Sequence, residues 1–292
     1  MTFPGDTHAR HESRTMKAFK NDHVLQTLLF ALLISLIFGL RFWHLEADPP
    51  VDLSASGGYF ADEGYWTHNA RNKVLFGVRT LDEWNDMFIS PLLHLATSVS
   101  FSLFGVTLYS ARLVPVVASI LIILLVYAAL VREGNRIGAY FALLFLGCHY
   151  PFLVYNRVAI LETPATFLLV LAFYLFSRKG GWSLFLSGFA IGAAYLTKTT
   201  LIFIIPASYL ALLGHDLFNR REHVQGRRVI LTDMIYFSAG LVIPVIFWVF
   251  YILLPHGEML AGYNEYYRVM LLPASLSGCI KTLLSQRFYI FF

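Results

Sequence analysis

Two adjacent carboxylates, Asp62 and Glu63, stand in the run Tyr59-Phe60-Ala61-Asp62-Glu63-Gly64-Tyr65-Trp66. One acid of such a pair can serve as a general base while the other positions it, provided the base reaches the proton it removes. Tyr65 and Trp66 beside them can stack on a sugar ring or rest at the level of lipid headgroups. The plainer alternative is an acidic turn in a solvated loop, but carboxylates held close to a bilayer are costly to keep there without a use. Arg157 and Glu162 form a second candidate set, in Tyr155-Asn156-Arg157-Val158-Ala159-Ile160-Leu161-Glu162-Thr163-Pro164. Their spacing is not that of a helical ion pair, so a short turn with two separate charges is expected. Arg157 either takes part in a site or snorkels to headgroups. Glu162 either takes part or opens a helix with Thr163 and Pro164, where the dipole favours an acid. Lys198, in Leu196-Thr197-Lys198-Thr199-Thr200, is a cation at a helix end with hydroxyls beside it. That suits a phosphate or, equally, a snorkelling lysine. His94 and His149 have no partners at ligand spacing and read as packing or interface residues. No His/Cys/Glu cluster resembles a metal site, which leaves a divalent metal open without ligands to assign to it.

The elements that must position these side chains are apolar helices. The 292 residues are 57% hydrophobic and only 14% charged, with a mean hydropathy of +0.62, whereas globular domains carry about a quarter charged residues. A soluble enzyme, a nucleic-acid binder and a disordered chain are excluded, and the net charge of +4 does not argue for nucleic acid because the basic residues lie between apolar runs. The two cysteines, Cys148 and Cys279, cannot build a disulfide framework, and Cys148 reads as packing. A bilayer core of roughly 30 Å needs about 20 apolar residues of helix. Runs that qualify are 24–43, 109–131, 137–155, 160–177, 182–196, 199–213 and 231–254, which predicts an all-α polytopic membrane protein of about seven spans. Gly188 and Gly192 in the fifth run suggest close helix packing. Residues 91–105 are apolar but short, and the distribution of basic residues favours a juxtamembrane or re-entrant helix there.

With that choice the basic residues of the amino-terminal tail, Arg132, Arg136, Arg178, Lys179 and the loop with Arg220, Arg221, Arg227 and Arg228 share one face, expected to be cytoplasmic. The domains expected are a cytoplasmic tail over 1–23, a transmembrane domain over 24–254 with an outer loop at 45–105, and an outer segment over 255–292. That segment ends in Arg287-Phe-Tyr-Ile-Phe-Phe292, an apolar run just begun, so the chain is expected to be cut off before its next span. The topology rests on the inner basic residues alone, yet it puts Asp62, Glu63, Arg157, Glu162 and Lys198 on one outer side. This would serve a base acting on an acceptor and cations acting on a departing phosphate. No nucleotide-binding loop is present, so a lipid-linked donor fits better than a soluble nucleotide.

At these residues the chain resembles the GT-C superfamily of membrane glycosyltransferases, near the protein O-mannosyltransferases of family 39 and the aminoarabinose transferases. The resemblance runs in order through Ala61-Asp62-Glu63-Gly64-Tyr65-Trp66, Ser90-Pro91-Leu92-Leu93, Leu103-Phe104-Gly105, Ser110-Ala111-Arg112, Arg157 to Pro164 with Phe167, and the glycine-rich Gly188 to Lys198. It implies transfer of a sugar from a polyprenyl- or dolichyl-phosphate donor to a lipid, glycan or protein acceptor, at the outer or lumenal face. It also implies that Asp62 engages the acceptor with Glu63 as its neighbour, that Arg157 and Glu162 belong to the second outer loop, and that Lys198 meets the donor phosphate. Ser90 departs from the lysine that aminoarabinose transferases carry before this proline. The rival from another class is a transporter or scaffold subunit. It would keep ionisable groups near the bilayer midplane rather than at one interface.

Overall fold

The computed structural model describes residues 24, 26–47, 59–82, 85–178, 180–219 and 226–271. The amino-terminal tail, Arg220, Arg221 and the closing run at 287–292 lie outside them. The order is α1 (Gln26–Phe42), α2 (Tyr59–Phe76), a 3-10 turn (Asp86–Phe88), α3 (Pro91–Phe104), α4 (Leu108–Arg132), α5 (Arg136–Cys148), α6 (Tyr150–Asn156), α7 (Glu162–Phe176), α8 (Gly181–Thr197), a second 3-10 turn (Thr199–Phe203), α9 (Ile204–Asn219), α10 (Gly226–Trp248), a π turn (Val249–Leu253) and α11 (Leu254–Leu271). The described residues contain helices and turns and no strand, in keeping with an all-α membrane fold.

Local chemistry sets several of the boundaries. Gly105 (φ 81°) ends α3 in a left-handed conformation that glycine adopts without strain. Thr107 and Ser110 then form a reciprocal capping box for α4, each side-chain oxygen accepting from the other's backbone N–H at 3.1 Å. Asn135 caps α5 by accepting from the N–H of Gly138 at 2.8 Å. The apolar run expected as one span over 137–155 is bent by 63° between α5 and α6. Pro151 lies at the start of α6, where its missing N–H costs nothing, and His149 Nδ1 accepts from the N–H of Phe152 at 3.4 Å.

Helix lengths divide the apolar elements into two groups. Two helices among the described residues are long and apolar enough to cross a membrane, α4 and the continuous Leu231–Tyr263, with the bent α5–α6 pair as a third. The last of the expected runs is thus longer than its apolar pattern, because the π turn carries it onward into α11. The helices Gln26–Phe42, Pro91–Phe104, Glu162–Phe176, Gly181–Thr197 and Thr199–Gly214 are apolar but only 10–17 residues long. At 1.5 Å per residue even the longest reaches only about 26 Å.

Two larger cores and two smaller ones hold the bundle. Ile37 of α1, Val116, Ile120 and Ile123 of α4 and Leu143 of α5 form one of the larger two. Ala172 of α7, Leu184, Ala190 and Ile191 of α8, Leu212 of α9 and Phe237 of α10 form the other. The α8–α10 seam is the closest contact. A Cβ on Gly188 would run into the Phe237 carbonyl, one on Gly240 into the Phe185 carbonyl, and one on Gly192 would lie 2.9 Å from Pro244. Small residues let the two backbones meet, as Gly188 and Gly192 suggested. Cys148, expected as packing, is exposed instead, because the bend after α5 leaves it on the outside of the helix pair.

Candidate functional site

Glu63 lies in the first two turns of α2 and is 4% exposed; Arg112 of α4 is 1% exposed. The guanidinium grips the carboxylate bidentately, Nε to Oε1 at 2.8 Å and Nη2 to Oε2 at 2.7 Å. Oε1 also accepts from the backbone N–H of Ala159 at 2.6 Å. Arg112 Nη1 donates to the carbonyls of Leu45 and Ala47, both at 2.9 Å. One buried ion pair thus ties α2 to α4, to the chain leaving α1 and to the turn before α7. Burial of two charges is tolerable only when geometry is this good and the remaining lone pairs are met.

Arg157, the C-cap residue of α6, does not meet Glu162, in agreement with the expected turn carrying two separate charges. Its guanidinium donates to the carbonyls of Leu40, Trp43 and His44 at 2.9, 2.6 and 2.7 Å, which closes the end of α1. Burial first, and then the charge of Arg112, lower its pKa from the ordinary guanidinium value. Arg41 of α1 does the converse for α5: its Nη1 and Nη2 reach the carbonyls of Gly147 and Leu146 at 3.0 and 3.3 Å, and its Nε reaches Ser119 Oγ at 2.9 Å. Carbonyls at a helix end have no partner within the helix, and these arginines provide one.

Glu162 opens α7 and Lys198 follows the last residue of α8. Their ion pair, Nζ to Oε1 at 2.8 Å, joins side chains that are 46% and 31% exposed. Ser90, where the aminoarabinose transferases carry lysine, turns its hydroxyl to the carbonyl of Thr197 at 2.7 Å. The start of α3 is thereby pinned beside Lys198. Asp62 is exposed on the first turn of α2. Tyr65 is 42% exposed and Trp66 half-buried, and both follow Asp62 at the spacing that shares a helix face.

All of these groups gather at one end of the bundle, where α1, α6 and α8 finish and α4 and α7 begin. At the other end Arg132 bonds Ser177 Oγ at 2.7 Å, Arg136 reaches Gln26 at 3.4 Å, and Arg132 and Arg178 both lie over the Tyr174 ring. Sequence reasoning placed Asp62, Glu63, Arg157, Glu162 and Lys198 together, but it missed what holds them. Arg112 stood in a quoted motif without a role, and Arg41 lay unnoticed inside an apolar run, where a buried cation is itself a signal. Asp86, in the 3-10 turn before α3, accepts from Tyr263 Oη at 2.9 Å. Burial holds its carboxyl above the ordinary carboxylate range even so. No group of three or more His, Cys, Asp or Glu comes together among the described residues.

Residues 89–248 match the family model described as dolichyl-phosphate-mannose-protein mannosyltransferase, more than half of the chain. The chain belongs to the dolichyl-phosphate-mannose-protein mannosyltransferase family. The matched segment contains Arg112, Arg157, Glu162 and Lys198, while Asp62 and Glu63 precede it. An uncharacterized protein of Aquifex aeolicus (strain VF5) is 24% identical over 219 residues, covering 71% of this chain and 42% of that protein. The chain therefore spans less than half the length of the curated relative it matches. No solved structure matches it.

Proposed function

We propose that this chain forms the reacting end of a glycosyltransferase that moves a sugar from a polyprenyl- or dolichyl-phosphate donor to an acceptor at the outer membrane face. In this reading Asp62 is the base for the acceptor and Glu63 is a positioning residue, its carboxylate committed to Arg112 and Ala159. Lys198 and Glu162 form the donor side: Lys198 exchanges its carboxylate partner for the phosphate whose charge grows as the sugar departs. Arg157 shapes the wall beside them, and Tyr65 and Trp66 offer faces on which the sugar or acceptor stacks. The observation that carries this reading is the Glu63–Arg112 lock. It fastens an acidic pair lying outside the matched segment to two residues within it and leaves Asp62 the exposed acid of the pair.

About seven spans, with the amino terminus cytoplasmic, go with this function. The exposed arginines Arg132, Arg136 and Arg178 at the far end support that orientation, and a locally thinned bilayer accommodates the short helices. The transmembrane domain is taken as 24–254 with the reacting loop at 45–105 and an outer segment from 255.

The test is sugar transfer by the whole protein, as the cell makes it, in reconstituted membranes with polyprenyl-phosphate sugars as donors. The expected result is release of polyprenyl phosphate by the wild type and its loss in Asp62→Asn. Undiminished turnover in that variant removes Asp62 from the mechanism, and no release from any lipid-phosphate sugar overturns the reading.

A further inference from the structure

The carbonyl of Thr197 closes α8, where no N–H of the same helix is left to reach it. The residue is 2% exposed, so an unmet acceptor there would be costly. What meets it comes from far back in the chain: Ser90 Oγ donates to it at 2.7 Å, across 107 residues. Ser90 is wholly buried at the N-cap of α3, where a serine ordinarily accepts from the first-turn N–H groups. It makes no such bond. The hydroxyl is turned from its own helix to the end of another, and the backbone holds it there. The Ser90 N–H donates to the carbonyl of Asp86 at 3.1 Å, and its carbonyl accepts from the N–H of His94 at 3.3 Å. Lys198 follows Thr197 directly. Its N–H donates to the carbonyl of Ala194 at 2.9 Å, and its own carbonyl accepts from the N–H of Leu201 at 3.0 Å. The backbone at Lys198 is extended (φ −147°, ψ 101°) between α8 and the 3-10 turn that follows. It makes a corner, and of the three backbone bonds that hold it only the one from Ser90 comes from another part of the fold. Beside Glu162 the seating is similar: Thr163 Oγ1 donates to Asn156 Oδ1 at 3.1 Å, and both residues are buried.

An exposed ion pair holds little geometry by itself, because its gain is small and both side chains are free to turn. The Glu162–Lys198 pair therefore takes its geometry from the backbones that carry it. We infer that Ser90 is a positioning residue for Lys198: its hydroxyl, by capping Thr197, sets the corner from which the ammonium reaches Glu162. Only the lysine stem then has to move when the pair opens. This rests on the donor-side role given to Lys198 above and adds to it a group that touches neither donor nor acceptor. Without the hydroxyl, the Thr197 carbonyl is left as a buried acceptor at the end of α8, and the last turn must shift to find another donor. A cation displaced by about 1 Å can slow a reaction by as much as about 100-fold.

The experiment uses the purified whole protein in nanodiscs. It measures the rate at which an amine-acetylating reagent modifies Lys198, read by mass spectrometry, alongside kcat and donor KM for transfer. The control is Ser187→Ala. Ser187 Oγ donates to the carbonyl of Ala172 at 2.9 Å, a buried hydroxyl-to-carbonyl bond between helices of the same kind, but well back along α8. Ser90→Ala should raise the acetylation rate of Lys198 about threefold, the size of an exposed ion pair released. It should lower kcat about tenfold while donor KM changes less than about twofold. Ser187→Ala should lose similar stability and move none of these. In a Lys198→Ala background, Ser90→Ala should lower kcat no further, because the group it acts through is gone. Ser90→Cys keeps nearly the same volume with a weaker donor and should shift the acetylation rate in the same direction by less; it carries the test if Ser90→Ala does not fold. An unchanged or lowered acetylation rate would overturn the inference, as would an equal rise in Ser187→Ala or a raised rate with kcat untouched. Transfer by the wild type with Lys198 unaltered in the Ser90 variants would sink the inference and keep the transferase reading. A rise confined to the Ser90 variants, in a protein that transfers from no lipid-phosphate sugar, would keep the Ser90–Lys198 geometry and sink that reading.

Discussion

The bundle end carries two acid–base pairs that look alike on paper and differ in their surroundings. Glu63–Arg112 is sealed, with side chains 6% and 2% exposed, and bidentate; Glu162–Lys198 is a single contact between side chains 46% and 31% exposed. In the first pair the arginine's remaining reach is taken by the carbonyls of Leu45 and Ala47. The second is open to solvent over part of both side chains. A pair of the first kind costs much to break, because either charge left alone would be buried without a partner, so it fixes geometry. A pair of the second kind gains little by staying closed, so it can open for a ligand. Position in the chain does not separate these roles, because each pair has one member at the start of a helix. Burial does.

The comparison breaks most visibly at its sealed half. Glu63→Ala leaves Arg112 buried without its carboxylate and should cost about 3–5 kcal/mol, read as loss of folded, detergent-stable protein. If thermal unfolding is unchanged, the lock is not what holds α2 to α4. Asp62→Asn, one residue away, should do the opposite: unfolding unaltered, with transfer activity down by about 100-fold or more. A parallel fall in stability and activity would make Asp62 structural and collapse the distinction between the two neighbours.

Smaller effects sharpen the contrast. Glu162→Gln should change stability by no more than about 1 kcal/mol, with the difference shrinking further as salt is raised. A loss as large as that of Glu63→Ala would put the two pairs in one class. Asp86 offers the finest test. Its carboxyl is held above the usual range, so the folded state binds its proton more tightly than the unfolded chain does. That contribution is present at low pH and is lost as pH rises through the unfolded and then the folded pKa. Asp86→Asn keeps an oxygen for Tyr263 and should therefore stabilise the protein near neutral pH, with the gain fading on acidification below the carboxylate range. A gain that grows on acidification would contradict the assigned direction.

Much of the architecture was legible because apolar runs and caps are local. The helix at Pro91–Phe104 matches the short segment read at 91–105, and the turn between Arg157 and Glu162 separates two charges as their spacing requires. The close seam of α8 was visible in Gly188 and Gly192, though its partner α10 was not. What stayed hidden depends on which helices become neighbours. Glu63 and Arg112 are 49 residues apart, and Arg157 serves carbonyls more than a hundred residues earlier. Periodicity says nothing about such partners. The π turn after Trp248 was hidden for another reason: the residues there are as apolar as any straight helix, so composition continues smoothly where geometry does not, whereas the bend at His149 did have a local signal, Pro151, inside the apolar run.

The arginines at the end of α1 also impose an order in time. The carbonyls of Leu40, Trp43, His44, Leu45 and Ala47 are made early, whereas the guanidiniums that serve them belong to Arg112 and Arg157. Until those two residues have been made, these carbonyls have no guanidinium to accept from, and only His44 has a local backbone donor, the N–H of Ala47. A chain made only as far as Asn156 would hold the end of α1 with the carbonyls of Leu40, Trp43 and His44 still without the Arg157 guanidinium. The end of α1 is therefore completed by residues made long after it.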